Sequence, residues 1–472
     1  MSLIESLSRF SNSDEISNLD VTETHPLLDN KKKSKTEIPY KNSRMAAGQF
    51  LKQLNERKLV VDLFTVFFGV SAWIGVNTLF NELPLLVESS PEQWNLPSYL
   101  TVIVQIANIG PISYSILKKY FSVSDKYTIY LIITIGALSA LSMAFFYSQT
   151  TMIFGVEHST ALFVLMFFTA LVGCTSSVLF MPYMGRYLEI YLITYLMGEG
   201  LSGFIASMVA IVQGVGSTEC VNKTDPDGGV HLEPKTYPAH FSTKLYFLIE
   251  FGILLLSLIS FYLLNNLSVS KSQMVKNYSP NMSENIEESQ PMQDYVPLSK
   301  PKFYSLCLYM ATINFFGNGV FPSIQSYSVL PYGPSTYHFT ICLSNMANPI
   351  ACFLAYFLPK TTFSALASLT VLTFGTGVYI FSMAVLSPTP LLVDSIYGSI
   401  IIVVLSILFV AFVSYIKLSV TMIFRNELSK AGQNSALFWC GAYSQIGSAL
   451  GAVVMFIIIN VGKVFEQYQA CS

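Results

Sequence analysis

The stretch from Phe67 to Val87 reads FFGVSAWIGVNTLFNELPLLV, and the interpretation of the whole chain starts from it. It is apolar and, at about 20 residues, long enough to cross a bilayer. It nevertheless carries Trp73, Asn77, Asn81, Glu82 and Pro84. Polar and charged groups are expensive in hydrocarbon and usually face a bundle interior or a water-filled cavity. A proline also frees backbone groups that neighbouring helices or water must satisfy. The stretch therefore predicts a membrane-spanning helix that lines the path of a solute.

The composition extends this interpretation to the rest of the chain. Of 472 residues, 52% are hydrophobic and 11% are charged, against about 25% charged in soluble domains. The apolar residues form long blocks separated by short polar breaks, which predicts an all-α polytopic membrane protein with about eleven transmembrane helices. A long polar linker divides them into six and five, an arrangement typical of transporters of the major-facilitator or equilibrative-nucleoside-transporter type.

The same residues argue against other classes of function. The net charge of -2 and the scattered basic residues do not indicate nucleic-acid binding. No cysteine or histidine spacing suggests a metal site, and no Gly-rich phosphate loop or nucleophile elbow stands out. We therefore expect a membrane protein that is not an enzyme and has no cofactor.

The predicted organisation follows the polar breaks, with boundaries good to a few residues. In order, we expect a disordered cytoplasmic tail, a first bundle of six helices with a long outer loop, a cytoplasmic linker, a second bundle of five helices and a short outer tail. The corresponding ranges are 1–55, 56–266 (outer loop 217–241), 267–301, 302–463 and 464–472.

The charges of the short loops predict the orientation. With a cytoplasmic N-terminus, most loop lysines and arginines fall on the inner side, as the positive-inside rule requires. Asn222 begins the sequon Asn-Lys-Thr in the outer loop, so it is a predicted glycosylation site. Cys220 and Cys471 then share the oxidising side, where a disulfide between them and two free thiols both fit the sequence.

A sorting signal is predicted in the N-terminal tail. Glu23 is followed by Leu27 and Leu28, the spacing of an acidic dileucine motif that cytosolic clathrin adaptors read on the way to endosomes and lysosomes. The motif is short and also arises by chance. The plasma membrane is the expected location, and the endosomal or lysosomal membrane is the alternative.

Amide and aromatic side chains recur within the predicted spans. Amides both donate and accept hydrogen bonds, and aromatic faces stack on flat rings. The pattern therefore suits an uncharged, hydroxyl-rich solute with a flat ring. The predicted substrate-binding residues are Trp73, Asn77, Gln105, Asn108, Asn314, Asn318, Gln325, Tyr327 and Asn345. Each amide has a structural alternative, since amides also bond between helices, and the GxxxG spacing of Gly447 and Gly451 indicates close helix packing.

Two carboxylates are predicted gating or proton-coupling residues. A carboxylate in a span costs about 2.5 kcal/mol or more unless it is protonated or paired. Glu199 sits near mid-span within GEGLSG, and Glu82 sits toward the outer end of its helix. A structural pair with Lys417 and a position at the lipid–water boundary are the alternatives.

Several segments together match one family. They include GVSAWIGVNTLFNELPLLV, SYLTVIVQIANIGPI, TSSVLFMPYMGRY, YLMGEGLSGFIASMVAIVQGVG, NGVFPSIQSYSVLPYGPSTYHF, LSNMANPIACFLAYFLP and SALFWCGAYSQIGSALGA. The chain resembles the eukaryotic riboflavin (vitamin B2) transporters of the solute carrier group from about Leu59 to Lys463. The resemblance implies eleven spans, a cytoplasmic N-terminus and facilitative or proton-aided riboflavin uptake. Asn81 departs from the family, which usually has a bulky residue before the glutamate that corresponds to Glu82.

The expected function is therefore riboflavin transport by alternating access, with a site between the bundles near the midplane. A carrier for another ring-plus-ribose solute, of the nucleoside type, is the first alternative. A receptor that binds the vitamin without moving it is the second, and the absence of a large signalling domain from the sequence argues against it.

Overall fold

The structure is a computed structural model, and it describes residues 57–87, 89–121, 123–215, 217–224, 230–274, 299–357, 363–426 and 430–468. The predicted sorting residues Glu23, Leu27 and Leu28 lie outside these ranges, as does Cys471. For Cys220 and Asn222 only the backbone is described.

Helices dominate the first half of the chain, taken here as the residues before 275. They are α1 (Leu59–Val70), α2 (Ile74–Asn81), α3 (Leu83–Val87), α4 (Leu96–Ile106), α5 (Ile109–Tyr120), α6 (Asp125–Phe146), α7 (Thr160–Met184), α8 (Glu189–Gln213), α9 (Thr243–Asn266) and α10 (Ser268–Lys271). A 3-10 turn, Gln93–Asn95, precedes α4.

The second half, taken as the residues after 298, continues in the same way. Its helices are α11 (Lys300–Asn314), α12 (Phe321–Val329), α13 (Pro334–Phe357), α14 (Phe363–Val385), α15 (Ile396–Asn426) and α16 (Lys430–Phe456). A π-helical turn, Phe315–Val320, joins α11 to α12, and a second, Ile457–Val461, extends α16.

Length and apolar composition identify eight of the described helical segments as membrane spans, or nine when α1 and α2 are counted as one bent span. The helical stretches 300–329 and 334–357 are not among these, although they are long and hold four of the predicted site amides. The prediction of a polytopic helical membrane protein is thus confirmed, and the count of eleven spans stays a prediction.

The opening stretch does not form one straight helix. The chain turns by 54° between α1 and α2, at Ser71 to Trp73, and regular helix ends again at Glu82 just before Pro84. The second predicted span also breaks, at Ala107 and Asn108, between α4 and α5. Interrupted spans are tolerated in membranes where the freed backbone is buried in protein or lines a cavity. Trp73 lies in the first break and Asn108 in the second, and both are predicted site residues.

Two short β-hairpins join helices on the predicted outer side. β1 (Thr151–Ile153) pairs antiparallel with β2 (Val156–His158), and β3 (Ser217–Thr224) pairs with β4 (Val230–Tyr237). The sequence interpretation treated 217–241 only as a loop. Its strands alternate apolar and polar residues weakly, so the pattern gave little sign of pairing.

Each half has its own apolar core. One cluster contains residues from Leu306 to Phe465, and two others are built almost entirely from residues before 255. Small residues allow close helix contact within each half, as the GxxxG spacing indicates: Gly447 lies against the backbone of Ala311, and Gly451 against that of Phe315 and Gly319. In the first half, Gly69 and Gly198 bring α1 and α8 together in the same way.

Candidate functional site

Three asparagines and two serines form a polar cluster where the two halves meet. Asn77 and Asn81 lie one turn apart in α2, and they donate to Ser202 Oγ at 3.1 Å and to Ser207 Oγ at 3.2 Å, both in α8. Asn345, from α13 of the second half, donates to Asn81 Oδ1 at 2.7 Å. We call these five residues the central cluster. Asn81, the position that departs from the family pattern, is the residue through which the cluster crosses between halves.

Trp73 and Glu199 form a second contact beside the central cluster. Trp73 ends the break between α1 and α2, and its side chain faces the Glu199 carboxylate within electrostatic reach. Gly173 in α7 has no side chain, and the Trp73 ring lies over it. Both Trp73 and Glu199 are only half-buried. The structure therefore joins the aromatic residue and the acidic residue that the sequence singled out separately.

The second half supplies a matching polar group. Lys417 Nζ in α15 donates to Asn318 Oδ1 at 3.3 Å, and Asn318 donates to Asn314 Oδ1 at 3.0 Å and to Ser448 Oγ at 3.2 Å. Asn318 lies in the π-helical turn, a feature frequent at functional sites. Lys417 thus bonds to an amide of its own half, and not to Glu82.

The polar groups of the two halves are close to each other. Cys352 in α13 lies within electrostatic reach of both the Lys417 ammonium and the Glu199 carboxylate. Cys352, Asn318 and Lys417 are all half-buried. Together with Trp73, Asn77, Glu199 and Asn345, these half-buried side chains come from both halves at mid-span. We call this group the polar lining.

Glu82 lies apart from this lining and is fully enclosed. It is 1% exposed. Its Oε1 accepts from Gln213 Nε2 at 3.0 Å, and Thr243 of α9 lies beside the same carboxylate. Protein therefore covers Glu82 on all sides, and its depth relative to the lipid–water boundary stays a prediction.

Hydrogen bonds between the halves concentrate at the predicted outer end. Asn95 Oδ1 accepts from the Tyr327 hydroxyl and, at 2.8 Å, from Gln467 Nε2. The Ser326 hydroxyl donates to the Trp94 carbonyl at 3.0 Å. We call these five residues the outer clamp. Tyr327, a predicted substrate-binding residue, uses its hydroxyl in this clamp, and its ring packs on Phe465.

The remaining predicted site amides make local contacts. Asn108 donates to the carbonyl and the side chain of Gln105, at 3.2 and 3.3 Å, across the break between α4 and α5. Asn314 is buried and donates to the Met310 carbonyl one turn back in α11. Gln325 is buried in α12 next to the outer clamp. These contacts match the structural alternative that amides in spans also have.

Sequence reasoning missed several polar residues that the structure brings into play. Ser202 and Ser207 complete the central cluster, and Asn95 organises the outer clamp. A buried carboxylate, Glu250, lies in α9 at 3% exposure. Only Glu250 carried a signal that could have found it, namely a charge in the middle of the apolar run YFLIEFGILLL.

Two cavities of the described residues lie away from this lining. A groove of about 320 Å³ between α4 and α7 is lined only by apolar residues, among them Ile103, Phe163 and Phe167. A second cavity lies beside Glu250 and is small. The described residues include no cluster of three side chains suited to hold a metal ion.

The described residues form a polytopic helical membrane protein with a polar lining between its halves, and its fold is similar to that of solved membrane transporters. Solved structures of this kind resemble the chain. A mutant of the nucleoside transporter NupG gives a TM-score of 0.55 at 11% identity, over 85% of this chain and 92% of that one. A D-xylose-proton symporter gives 0.52 at 14% identity, over 84% and 88%. At such identities the likeness shows the fold alone.

The sequence comparisons identify the family. Residues 57–467 match the solute carrier family 52 riboflavin transporters, and the chain belongs to this family. It is 37% identical to the zebrafish (Danio rerio) solute carrier family 52 riboflavin transporter member 3-A, over 88% of this chain and 98% of the relative. It is 35% identical to human (Homo sapiens) member 3 over the same shares, and 33% identical to riboflavin transporter rft-1 of Caenorhabditis elegans over 86% and 97%. Membership confirms the prediction of a transporter that is not an enzyme.

Proposed function

We propose that this protein carries riboflavin across a membrane by alternating access, with the substrate held between its two halves. The observation that carries the proposal is the polar lining at mid-span. It combines half-buried side chains of the first half, Trp73 and Asn77, with Asn318 and Asn345 of the second. Family membership supports riboflavin as the substrate.

The chemistry of the lining suits this vitamin. Riboflavin has a flat isoalloxazine ring and a polyhydroxyl chain, so it needs one aromatic face and several groups that donate and accept. Trp73 supplies the face. The amides of the central cluster and of Asn318 supply both kinds of hydrogen bond. Their present bonds to serine hydroxyls are replaceable at little cost, because a hydroxyl left behind can bond to substrate or water.

Glu199 is proposed to act as a gating residue through Trp73. Its carboxylate faces the Trp73 side chain within electrostatic reach, so in this proposal the acid positions the ring at the break between α1 and α2. Glu82 is bonded at the outer ends of α8 and α9. We propose that it fixes the outer part of the first span while the halves move.

The first prediction concerns Trp73. Trp73→Ala removes the aromatic face and leaves Glu199 without its partner. We expect riboflavin uptake into proteoliposomes to fall about tenfold or more, since loss of an aromatic stacking partner for a planar ring costs about 1–3 kcal/mol. Trp73→Phe keeps a ring but lacks the N–H, and we expect it to retain part of the uptake.

The wild-type protein sets the reference for this measurement. Labelled riboflavin must accumulate above empty liposomes, and no uptake at either acidic or neutral external pH would contradict the proposed function. If wild-type uptake is present and Trp73→Ala matches it, the function stands and the place of Trp73 in the site is wrong.

A carrier for nucleosides is the alternative that the fold also allows, and family membership does not favour it. Competition separates the two. Excess unlabelled riboflavin is expected to suppress uptake of the label, while excess uridine or adenosine leaves it unchanged.

The location of the protein is proposed separately from its activity. It is an integral membrane transporter by its family and its apolar helices. We propose the plasma membrane as its main site, with clathrin adaptors binding Glu23, Leu27 and Leu28 for a share of the protein in endosomes and lysosomes.

Glycosylation at Asn222, the disulfide between Cys220 and Cys471 and the domain boundaries also remain proposals.

The second prediction tests whether the dileucine motif directs the protein to internal membranes. In cells that express a fluorescent fusion, changing both Leu27 and Leu28 to alanine is expected to move protein from internal vesicles to the cell surface. Glu23 stays unchanged in this variant, and uptake per surface molecule should not change. If the distribution stays the same, the dileucine spacing is a coincidence.

A further inference from the structure

We propose that the Glu250 carboxyl group binds a proton that it exchanges through a single water molecule. When Glu250 is protonated, it stabilises the bend between α1 and α2 in the first span. Neither the proposed substrate path nor the predicted gating residues use this side chain. Its place in the fold carries the proposal.

Glu250 is enclosed but not satisfied. It lies near the middle of α9, in the sixth predicted span, and is 3% exposed. Among the described residues it makes no hydrogen bond and no ion pair. Its Oε1 instead lies against Gly75 of α2, so close that a Cβ on that glycine would come within 2.9 Å. A carboxylate held in this way is costly when ionised. The packing therefore accommodates the neutral acid.

A small cavity adjoins the carboxyl group. It has a volume of about 10 Å³ and is lined by Ser71, Ala72, Gly75, Gly136, Thr169, Val172, Glu250 and Leu254. That volume matches one water molecule, which needs polar partners to stay in place. The Glu250 carboxyl group and nearby hydroxyls provide them. A water here can relay a proton from solvent, taking up one proton as it gives another to the carboxylate, so that the O–H bond of the acid forms and the water stays neutral; the reverse relay breaks that bond.

Few other charges act on this site. On its own helix, Tyr246 lies one turn away, is 1% exposed, and donates its hydroxyl to the Ala206 carbonyl. Tyr246 also lies within electrostatic reach of Glu82. The cavity residues from the break, from α6 and from α7 carry hydroxyls, hydrogens or aliphatic groups and no charge. The protonation of Glu250 is thus governed chiefly by whether water can reach it.

The position of the cavity connects protonation to movement. Ser71 and Ala72 belong to the break, and within α2 Gly75 lies two residues before Asn77, about 200° around the helix. One side of this short helix thus faces the substrate lining and the other faces Glu250. Loss of the proton leaves an unpaired negative charge on Glu250 against α2. This charge is stabilised when α2 moves away at the break and water reaches the carboxylate. Low pH therefore favours the bent conformation described here.

The test uses purified protein without riboflavin, so its outcome does not depend on the proposed substrate. Infrared difference spectra between acidic and alkaline buffer report a buried carboxylic acid through its C=O stretch. We expect such a band in the wild-type protein and its loss in Glu250→Gln, which keeps the shape and removes the titration. Glu199→Gln and the exposed control Glu157→Gln are expected to keep it. The same band in wild type and Glu250→Gln, or no band in either, would overturn the proposal.

Tryptophan fluorescence tests the connection to the break. In a background with Trp94→Phe and Trp439→Phe, Trp73 is the remaining indole. We expect its emission to shift with pH when Glu250 is present and to stay constant in Glu250→Gln. A shift that persists in Glu250→Gln would mean that another group controls the break.

Discussion

Replacing Gly198 with valine is expected to remove most folded protein from the membrane. A Cβ at Gly198 would come within 3.0 Å of the Val66 backbone, and one at Gly69 would lie 2.9 Å from the Glu199 backbone nitrogen. Backbone atoms cannot move aside as a flexible side chain can. Overpacking by a few methylenes typically costs about 1–3 kcal/mol, and here it separates two helices along their contact.

Gly252→Val is the matched control for this variant. Gly252 is also a glycine within a span, in α9, and an added Cβ there meets no atom within 4 Å. We expect Gly198→Val to lose its monodisperse peak in fluorescence-detected size-exclusion chromatography and Gly252→Val to retain it. Equal behaviour of the two variants would show that the contact between α1 and α8 tolerates a side chain.

Asn95→Ala is expected to open the predicted outer end. The change removes the acceptor of both Tyr327 and Gln467. Tyr327 is 2% exposed, so its hydroxyl loses its Asn95 acceptor in a buried place. An unsatisfied buried group costs about 1–3 kcal/mol, which corresponds to a shift of about 5- to 150-fold toward conformations with separated halves.

Distances between spin labels measure this opening. Gln149 and Leu391 are exposed residues outside the helices of the first and second halves. We expect the label pair to gain a longer-distance population in Asn95→Ala. Asn266→Ala is the control, because Asn266 is exposed and donates only to the Tyr262 carbonyl of its own helix. An unchanged distance distribution in Asn95→Ala would show that the outer clamp does not hold the halves together.

Sequence predicted the membrane class, the family and several residues of the lining. Apolar length and low charge are local properties, and they decide whether a segment crosses a bilayer without reference to its neighbours. Trp73, Asn77 and Glu199 were found because polar groups stand out within an apolar run. The break at Ser71 to Trp73 was not predicted, since Pro84 drew attention to the other end of the span.

The pairing of the polar groups could not be predicted. Asn81 and Asn345 are 264 residues apart in sequence, and nothing local states that their amides meet. Asn81 was noted as a polar residue of the opening stretch and as a departure from the family pattern, but not as a partner of Asn345. Tyr327 was expected at the substrate, and its hydroxyl instead joins the outer clamp, since a buried phenol needs any acceptor within reach. An amide in a span reveals a need for a partner but not which partner it finds.

The π-helical turn at Phe315–Val320 has a mechanical consequence. Such a turn holds one residue more than an α-helical turn does. The residues of α12 are therefore shifted in register relative to a continuous α-helix from α11. Rewinding it to α-helix would rotate α12 by about 100° relative to α11 and displace it by about 1.5 Å along the axis. Asn318 lies inside the turn and Tyr327 beyond it. A single change of winding would therefore rotate and translate α12 together. It would alter the contacts of Asn318 at mid-span and those of Tyr327 at the outer end in one motion.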